Sequence, residues 1–180
     1  MSDRGTGAEA YQRQALSDFK VACCLSSLPP HSLSAGFRRC HIAAMCQQAV
    51  EKSVKSLYIA WGMTPARTHQ VTDLITGLLR KPGGTKHGDG VRSQLHHVFS
   101  QRARWIAREL DELVPKGVVV DPAQTARNSE YPFLANRHWI APCDAAAFRD
   151  VEIAKYLRES GRMVNGVVRI RAAISRAPIN

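Results

Sequence analysis

A chain of 180 residues with 44% hydrophobic and 22% charged side chains has the size and balance of one globular domain with a packed core. No apolar run reaches the roughly eighteen residues of a membrane-spanning helix, so no membrane association is expected. The formal net charge is +10, 18 of the 25 basic residues are arginine, and both halves of the chain are basic, which excludes a separate basic tail. Such a surface favours polyanionic partners, because Lys and Arg displace counterions from phosphate backbones. Arginine enrichment also follows from genomic base bias, so charge alone names no ligand.

Met1-Ser-Asp-Arg-Gly-Thr-Gly lacks the apolar stretch of a signal peptide and reads as a flexible lead over residues 1–8. A single domain is expected over residues 9–175. Its first helix is predicted from about Glu9 to Leu28, with Leu16, Phe19, Ala22 or Cys23, and Leu25 or Leu28 inward, ended by Pro29-Pro30. The second is predicted from about Ala35 to Trp61. Val50, Val54, Leu57, Tyr58 and Trp61 form its apolar stripe, and Gly62 supplies the stop. After Pro65, Thr68 is the expected N-cap of a third helix whose Val71, Leu74, Ile75, Leu78 and Leu79 face one way.

Residues 81–91, rich in glycine, read as a mobile loop. Gly83-Gly84-Thr85-Lys86 is no phosphate loop, since it lacks the Gly-x-x-x-x-Gly-Lys-Ser/Thr order and follows a helix. A fourth helix is predicted from about Arg92 to Leu113, with Leu95, Val98, Phe99, Ile106, Leu110 and Leu113 inward. Residues 115–143, punctuated by Pro122, Pro132 and Pro142, read as a long irregular loop in which only Val118-Val-Val120 is strand-like. Asp144 is the expected N-cap of a fifth helix, about Ala145 to Ile174. Val151, Ala154, Leu157, Val164, Val167 or Val168, and Ile174 are its predicted inner residues. Gly161 and Gly166 each weaken that helix by about 1 kcal/mol relative to Ala, which allows a bend near Gly161. The fold class is therefore all-α, an antiparallel up-and-down bundle of about five helices.

Cys23, Cys24, Cys40, Cys46 and Cys143 show no metal-ligand spacing, so neither a metal nor another cofactor is expected. Free thiols in a reducing cytoplasm, serving as small core residues, are the expected state. On the second helix, Gln48, Glu51 or Lys52, and Lys55 form a polar line beside the apolar stripe, with Glu51 and Lys55 a favourable i,i+4 pair on a solvated face.

The segment Cys46-Gln-Gln-Ala-Val-Glu-Lys-Ser-Val-Lys-Ser-Leu57, with Trp61-Gly62, Pro65 and Arg67-Thr-His69 after it, resembles the HEPN family (higher eukaryotes and prokaryotes nucleotide-binding), prokaryotic type. Arg127-x-x-x-Tyr131-Pro132 is similar to that family's Arg-Tyr-Pro segment before the last helix. Gln70 and Phe133 stand where the family often has Asp. The resemblance runs in order over about residues 10–171 and is densest over 46–69. It implies a four-helix antiparallel core, frequent homodimers, and roles from ribonuclease toxins to nucleotide- or RNA-binding modules. It also implies prokaryotic toxin–antitoxin or defence systems, often with a nucleotidyltransferase partner.

Catalytic members of the family carry an Arg, then four to six intervening residues, then a His. A near-neutral His transfers protons while Arg stabilises the phosphorane. Arg92-x4-His97 and Arg80-x6-His87 have such spacings, but this many Arg and His give about two matches by chance alone, so the spacing adds little. The prokaryotic type often lacks the pair, which favours a binding module. Its candidate contacts are Lys52, Lys55, Arg67, His69, Arg127, Tyr131, Arg137 and His138, by phosphate pairing and base stacking. His69 also suits a structural role, and Tyr131-Pro132 could simply pin the loop. The alternatives are a metal-independent endoribonuclease using Arg92 and His97, and a structural subunit that binds only protein.

Overall fold

The computed structural model describes residues 3–29, 31–80, 88–113, 133–135, 138–140 and 152–176. Among them are six helices: α1 (Asp3–Ser27), α2 (Ala35–Ala60), α3 (Val71–Arg80), α4 (Gly88–Val98), α5 (Gln101–Leu113) and α6 (Ile153–Arg176). The all-α class follows from this order. Two three-residue strands, β1 (Phe133–Ala135) and β2 (His138–Ile140), pair antiparallel with Phe133 opposite Ile140 and Ala135 opposite His138. The stretch expected to be an irregular loop thus holds a short ladder, while the strand-like Val118–Val120 lies outside the described residues.

Helix α2 is the centre of the bundle and packs on α1, α3, α5 and α6. Ser34 caps its start by accepting the Phe37 N–H at 3.2 Å. Gly62, at φ 71°, ends it as expected. The Gly62 N–H bonds Ile59 O at 2.9 Å and the Met63 N–H bonds Tyr58 O at 2.8 Å, the paired bonds of a Schellman stop. Val50, Val54, Leu57 and Tyr58 are buried as predicted, and Trp61 packs half-buried against them.

Helix α1 starts at Asp3, six residues before the expected Glu9, and buries a different face from the one predicted. Ala8, Gln12, Ala15, Asp18 and Ala22 are buried, Leu16, Phe19 and Leu25 only partly so, and Leu28 is exposed. Small residues bring α1 close to α2, and the buried polar groups find partners there. Ser56 Oγ donates to Gln12 Oε1 at 3.0 Å, and Lys52 Nζ donates to Asp18 Oδ2 at 2.5 Å. Contacts 12 to 56 and 18 to 52 run in opposite directions, so the two helices are antiparallel.

The predicted fourth helix is two helices. Ser100 interrupts it by capping α5, with the Ala103 N–H 3.4 Å from Ser100 Oγ and the Arg104 N–H 3.0 Å from Ser100 O. Helix α4 begins at Gly88, inside the stretch expected to be a loop. Thr68 does not cap α3 itself. It accepts the Gln70 N–H at 3.1 Å, whereas the Val71 and Thr72 amides are held at 2.8 Å each by the Asp111 carboxylate of α5. Burial pushes the Asp111 carboxyl up from its ordinary value, and the bonds from Thr72 and Val71 oppose that rise.

Helix α6 is continuous through both glycines. A Cβ on Gly161 would lie 2.6 Å from Phe19 Cζ, and one on Gly166 would lie 2.5 Å from Val98 Cγ2. Both positions mark close helix approach, not a bend. Val164, Val167 and Ile174 face inward as expected, together with Tyr156 and Met163, whereas Ala154 and Val168 are exposed and Leu157 is half-buried. Asp144 and Val151 lie outside the described residues.

Cys40 and Cys46 are buried, but Cys23 and Cys24 are exposed on α1, against the expectation of core thiols. Burial pushes the Cys46 thiol up to about 12. Since the thiolate is the reactive form, iodoacetamide at pH 8 is expected to label Cys23 and Cys24 in the native chain, and Cys40 and Cys46 only after denaturation. Peptide mapping by mass spectrometry checks this, and native labelling of Cys46 would contradict it.

Candidate functional site

The polar line of α2 is an internal ion-pair network and not a solvated face. Glu51 is only 5% exposed. One carboxylate oxygen accepts from Lys55 Nζ at 2.6 Å and the other shares a hydrogen bond with His69 Nδ1 at 3.2 Å. Lys52 is engaged by Asp18 and by Gln48 Oε1 at 3.2 Å. The Gln47 side-chain amide donates to His69 O, so the connection into α3 is tied to α2 at two points. His69 and Arg67 are otherwise exposed, at the end of the bundle that carries this connection. Lys52 and Lys55 therefore have structural partners, and His69 combines a structural bond with an exposed ring.

Arg127, Tyr131 and Arg137 lie outside the described residues, as does His87 of the Arg80 spacing, and His138 is described only as a β2 position opposite Ala135. Arg92 and His97 are both exposed on α4. Five residues apart, they sit about 140° apart around the helix axis. His97 instead lines a groove of about 460 Å³ between α4 and α6, where Arg169 of α6 is the cationic side chain. Ser93 and Gln94 add polar groups along the α4 wall, and Val98 and Ile170 supply the apolar part. No acidic residue is among those lining it.

Next to this groove is a cluster that local spacing could not reveal. Glu159 of α6 is 4% exposed and holds three arginines. Arg102 Nε lies 3.0 Å from Glu159 Oε1, Arg162 Nε lies 3.0 Å from Oε2, and Arg158 Nε lies 3.6 Å from Oε1. One buried carboxylate anchoring three guanidinium groups leaves local positive charge while fixing their stems. Arg162 also reaches Ser100 Oγ at 2.7 Å and His97 O at 3.5 Å, joining α6 to the α4–α5 break. The cluster draws on α5 and α6, which are far apart in sequence. The hint available from sequence was the density of arginine in residues 102–108 and 158–171.

Chemically, the groove offers an imidazole able to move protons, a guanidinium suited to phosphate, and an apolar wall for a base or ribose. Among the described residues no group of three His, Cys, Asp or Glu is placed to hold a metal ion, and no helix is long and apolar enough to cross a membrane.

An antiparallel all-helical bundle with a basic interhelical groove is the class that the fold and this geometry define. Within it, residues 31–117, which run from α2 to α5, are similar to the HEPN domain family. Helices α1 and α6 lie outside the match and complete the packing around α2 and α4. No curated protein and no solved structure matches the chain.

Proposed function

We propose that this HEPN-domain chain binds nucleotide or RNA, without cleaving it, through the groove between α4 and α6. The carrying observation is that His97 and Arg169 face a groove of about 460 Å³ with no carboxylate in its lining. A phosphate entering there meets the Arg169 guanidinium and an imidazole, and no lining carboxylate repels it. The arginines on Glu159 extend the positive surface beyond the groove, in keeping with a net charge of +10. The separation of Arg92 from His97 around α4 favours binding over catalysis. The resemblance over residues 46–69 supports a homodimer in a prokaryotic defence or toxin–antitoxin system, with a nucleotidyltransferase or another defence protein as partner. Arg67 and His69, and Arg127, Tyr131 and Arg137, remain further candidate contacts.

Fluorescence anisotropy with a labelled twelve-nucleotide RNA, and with ATP as competitor, tests this reading. Binding is expected to weaken steeply with salt, and Arg169→Ala is expected to reduce the log–log salt slope by about one. Absence of RNA and nucleotide binding at low salt would leave the protein-only subunit as the better reading.

The exposure of His97 in the groove supports the second reading, a metal-independent endoribonuclease using Arg92 and His97. Total RNA incubated in EDTA decides between them. Cleavage by the parent that disappears in His97→Ala would replace binding with catalysis.

A further inference from the structure

Helix α5 displays an indole on its outer surface. Trp105 is 49% exposed, the largest fraction among the exposed large hydrophobic residues described. It is not loosely placed, because Lys155 Nζ of α6 sits over the ring at 4.7 Å from the centroid. That ammonium is itself fixed by Glu109 Oε2 at 2.8 Å, which also accepts the Tyr156 hydroxyl at 3.0 Å. A cation holds the ring, and about half of the residue's surface stays open to solvent.

The surroundings of this open surface are basic. On α5, Arg102 and Arg108 stand three residues before and after Trp105, and both are exposed. They are thus about 9 Å apart along the helix axis, with the indole between them. On α6, Arg158 follows Lys155 by one turn and is held with Arg102 on the buried Glu159. An apolar protein partner gains little from a ring with an exposed arginine about one turn away on either side. A polyanion that carries flat bases satisfies both features, since bases stack on aromatic faces and arginines pair with phosphates.

We propose that the open face of Trp105 is a stacking platform for a base of single-stranded RNA, with Arg102, Arg108 and Arg158 engaging the flanking phosphates. The proposal rests on the RNA-binding reading above and adds a second contact region on the α5–α6 face. Duplex RNA, whose bases are already stacked, cannot use it. The platform reads no particular base, because every base offers a π-face.

The test uses the full chain, a fluorescein-labelled twelve-nucleotide oligo(A) RNA, and an unlabelled duplex RNA of equal length as competitor. Trp105→Ala is expected to weaken binding roughly tenfold with an unchanged salt slope, and Trp105→Phe to retain most of the affinity. Arg108→Ala is expected to lower the slope by about one. Duplex RNA is expected to compete poorly. Parental affinity in Trp105→Ala, alongside weakened binding in Arg169→Ala, would overturn the platform and leave the groove reading standing. A duplex that competes as well as the single strand would also overturn it. Failure of the parent chain to bind RNA at all would remove both. Thermal melts by circular dichroism keep folding defects separate, and the phenylalanine variant preserves a ring if the alanine variant is destabilised.

Discussion

Glu51→Ala is expected to destabilise the chain by roughly 3 kcal/mol, the lower end of the cost of orphaning one partner of a buried ion pair. The carboxylate is buried and both of its oxygens are used, by Lys55 at 2.6 Å and by His69 at 3.2 Å. The two partners differ in burial, so they differ in consequence. The Lys55 side chain is 12% exposed and would be left as a nearly enclosed ammonium without a counter-charge. Partial escape of its long stem towards water keeps the cost at the lower end. The His69 side chain is 78% exposed, and His69→Ala is expected to cost under about 0.5 kcal/mol. Replacing both buried charges together, as Glu51→Leu with Lys55→Met, is expected to recover most of the loss, because no uncompensated charge remains. Urea midpoints at unchanged m-value measure all four proteins. A Glu51→Ala variant within 1 kcal/mol of the parent would show that Lys55 reaches water freely, and the network would then be ornamental to stability.

That network also shows where the most legible stretch of sequence was read incompletely: the Glu51–Lys55 pair is present as expected, but it is buried and not on a solvated face. The second helix, its glycine stop and the apolar face of α3 were readable because they rest on local rules: apolar spacing, a left-handed glycine, and a short turn. The same rules assigned Lys52 and Lys55 to a ligand or to solvent. They could not show that α1 lies against this line and supplies Asp18, because α1 buries alanines and polar residues and leaves its larger side chains half-exposed. Phe19 and Leu16 drew the predicted face towards themselves. A close helix pair needs small residues at the contact, and an apolar count undervalues them.

The break between α4 and α5 escaped notice for a related reason. No glycine or proline marks it, and the apolar spacing continues through Phe99 to Ala103. Ser100 makes the break through its own side chain, reinforced by Arg162 from the far end of the chain. Of the candidate site, His97 was legible as a histidine with a useful spacing, whereas its groove partner Arg169 was not. Their proximity depends on α6 packing against α4, and no local pattern encodes that. The Glu159 cluster is a tertiary feature of the same kind.

Gly166 is where fold and groove meet, and Gly166→Val is expected to cost about 3 kcal/mol. A Cβ there would stand 2.5 Å from Val98 Cγ2, 2.8 Å from Cγ1 and 3.2 Å from Cβ, so the clash is with a short, stiff side chain. A long side chain could swing away, but Val98 can yield only if α4 moves off α6. The smaller Gly166→Ala gains about 1 kcal/mol in helix propensity, which offsets part of its overpacking. The decisive comparison is therefore Gly166→Ala in the parent and in Val98→Ala, where the space has been cleared. The two substitutions are expected to couple favourably by at least about 1 kcal/mol, as contacting residues do. Additive effects would mean that α4 and α6 separate without strain. Both residues line the groove with His97 and Arg169, so the same separation alters the distance between those two side chains. RNA binding should accordingly fall in Gly166→Ala and recover in the double variant, whereas a ligand held only on the α5–α6 face would be indifferent to either change.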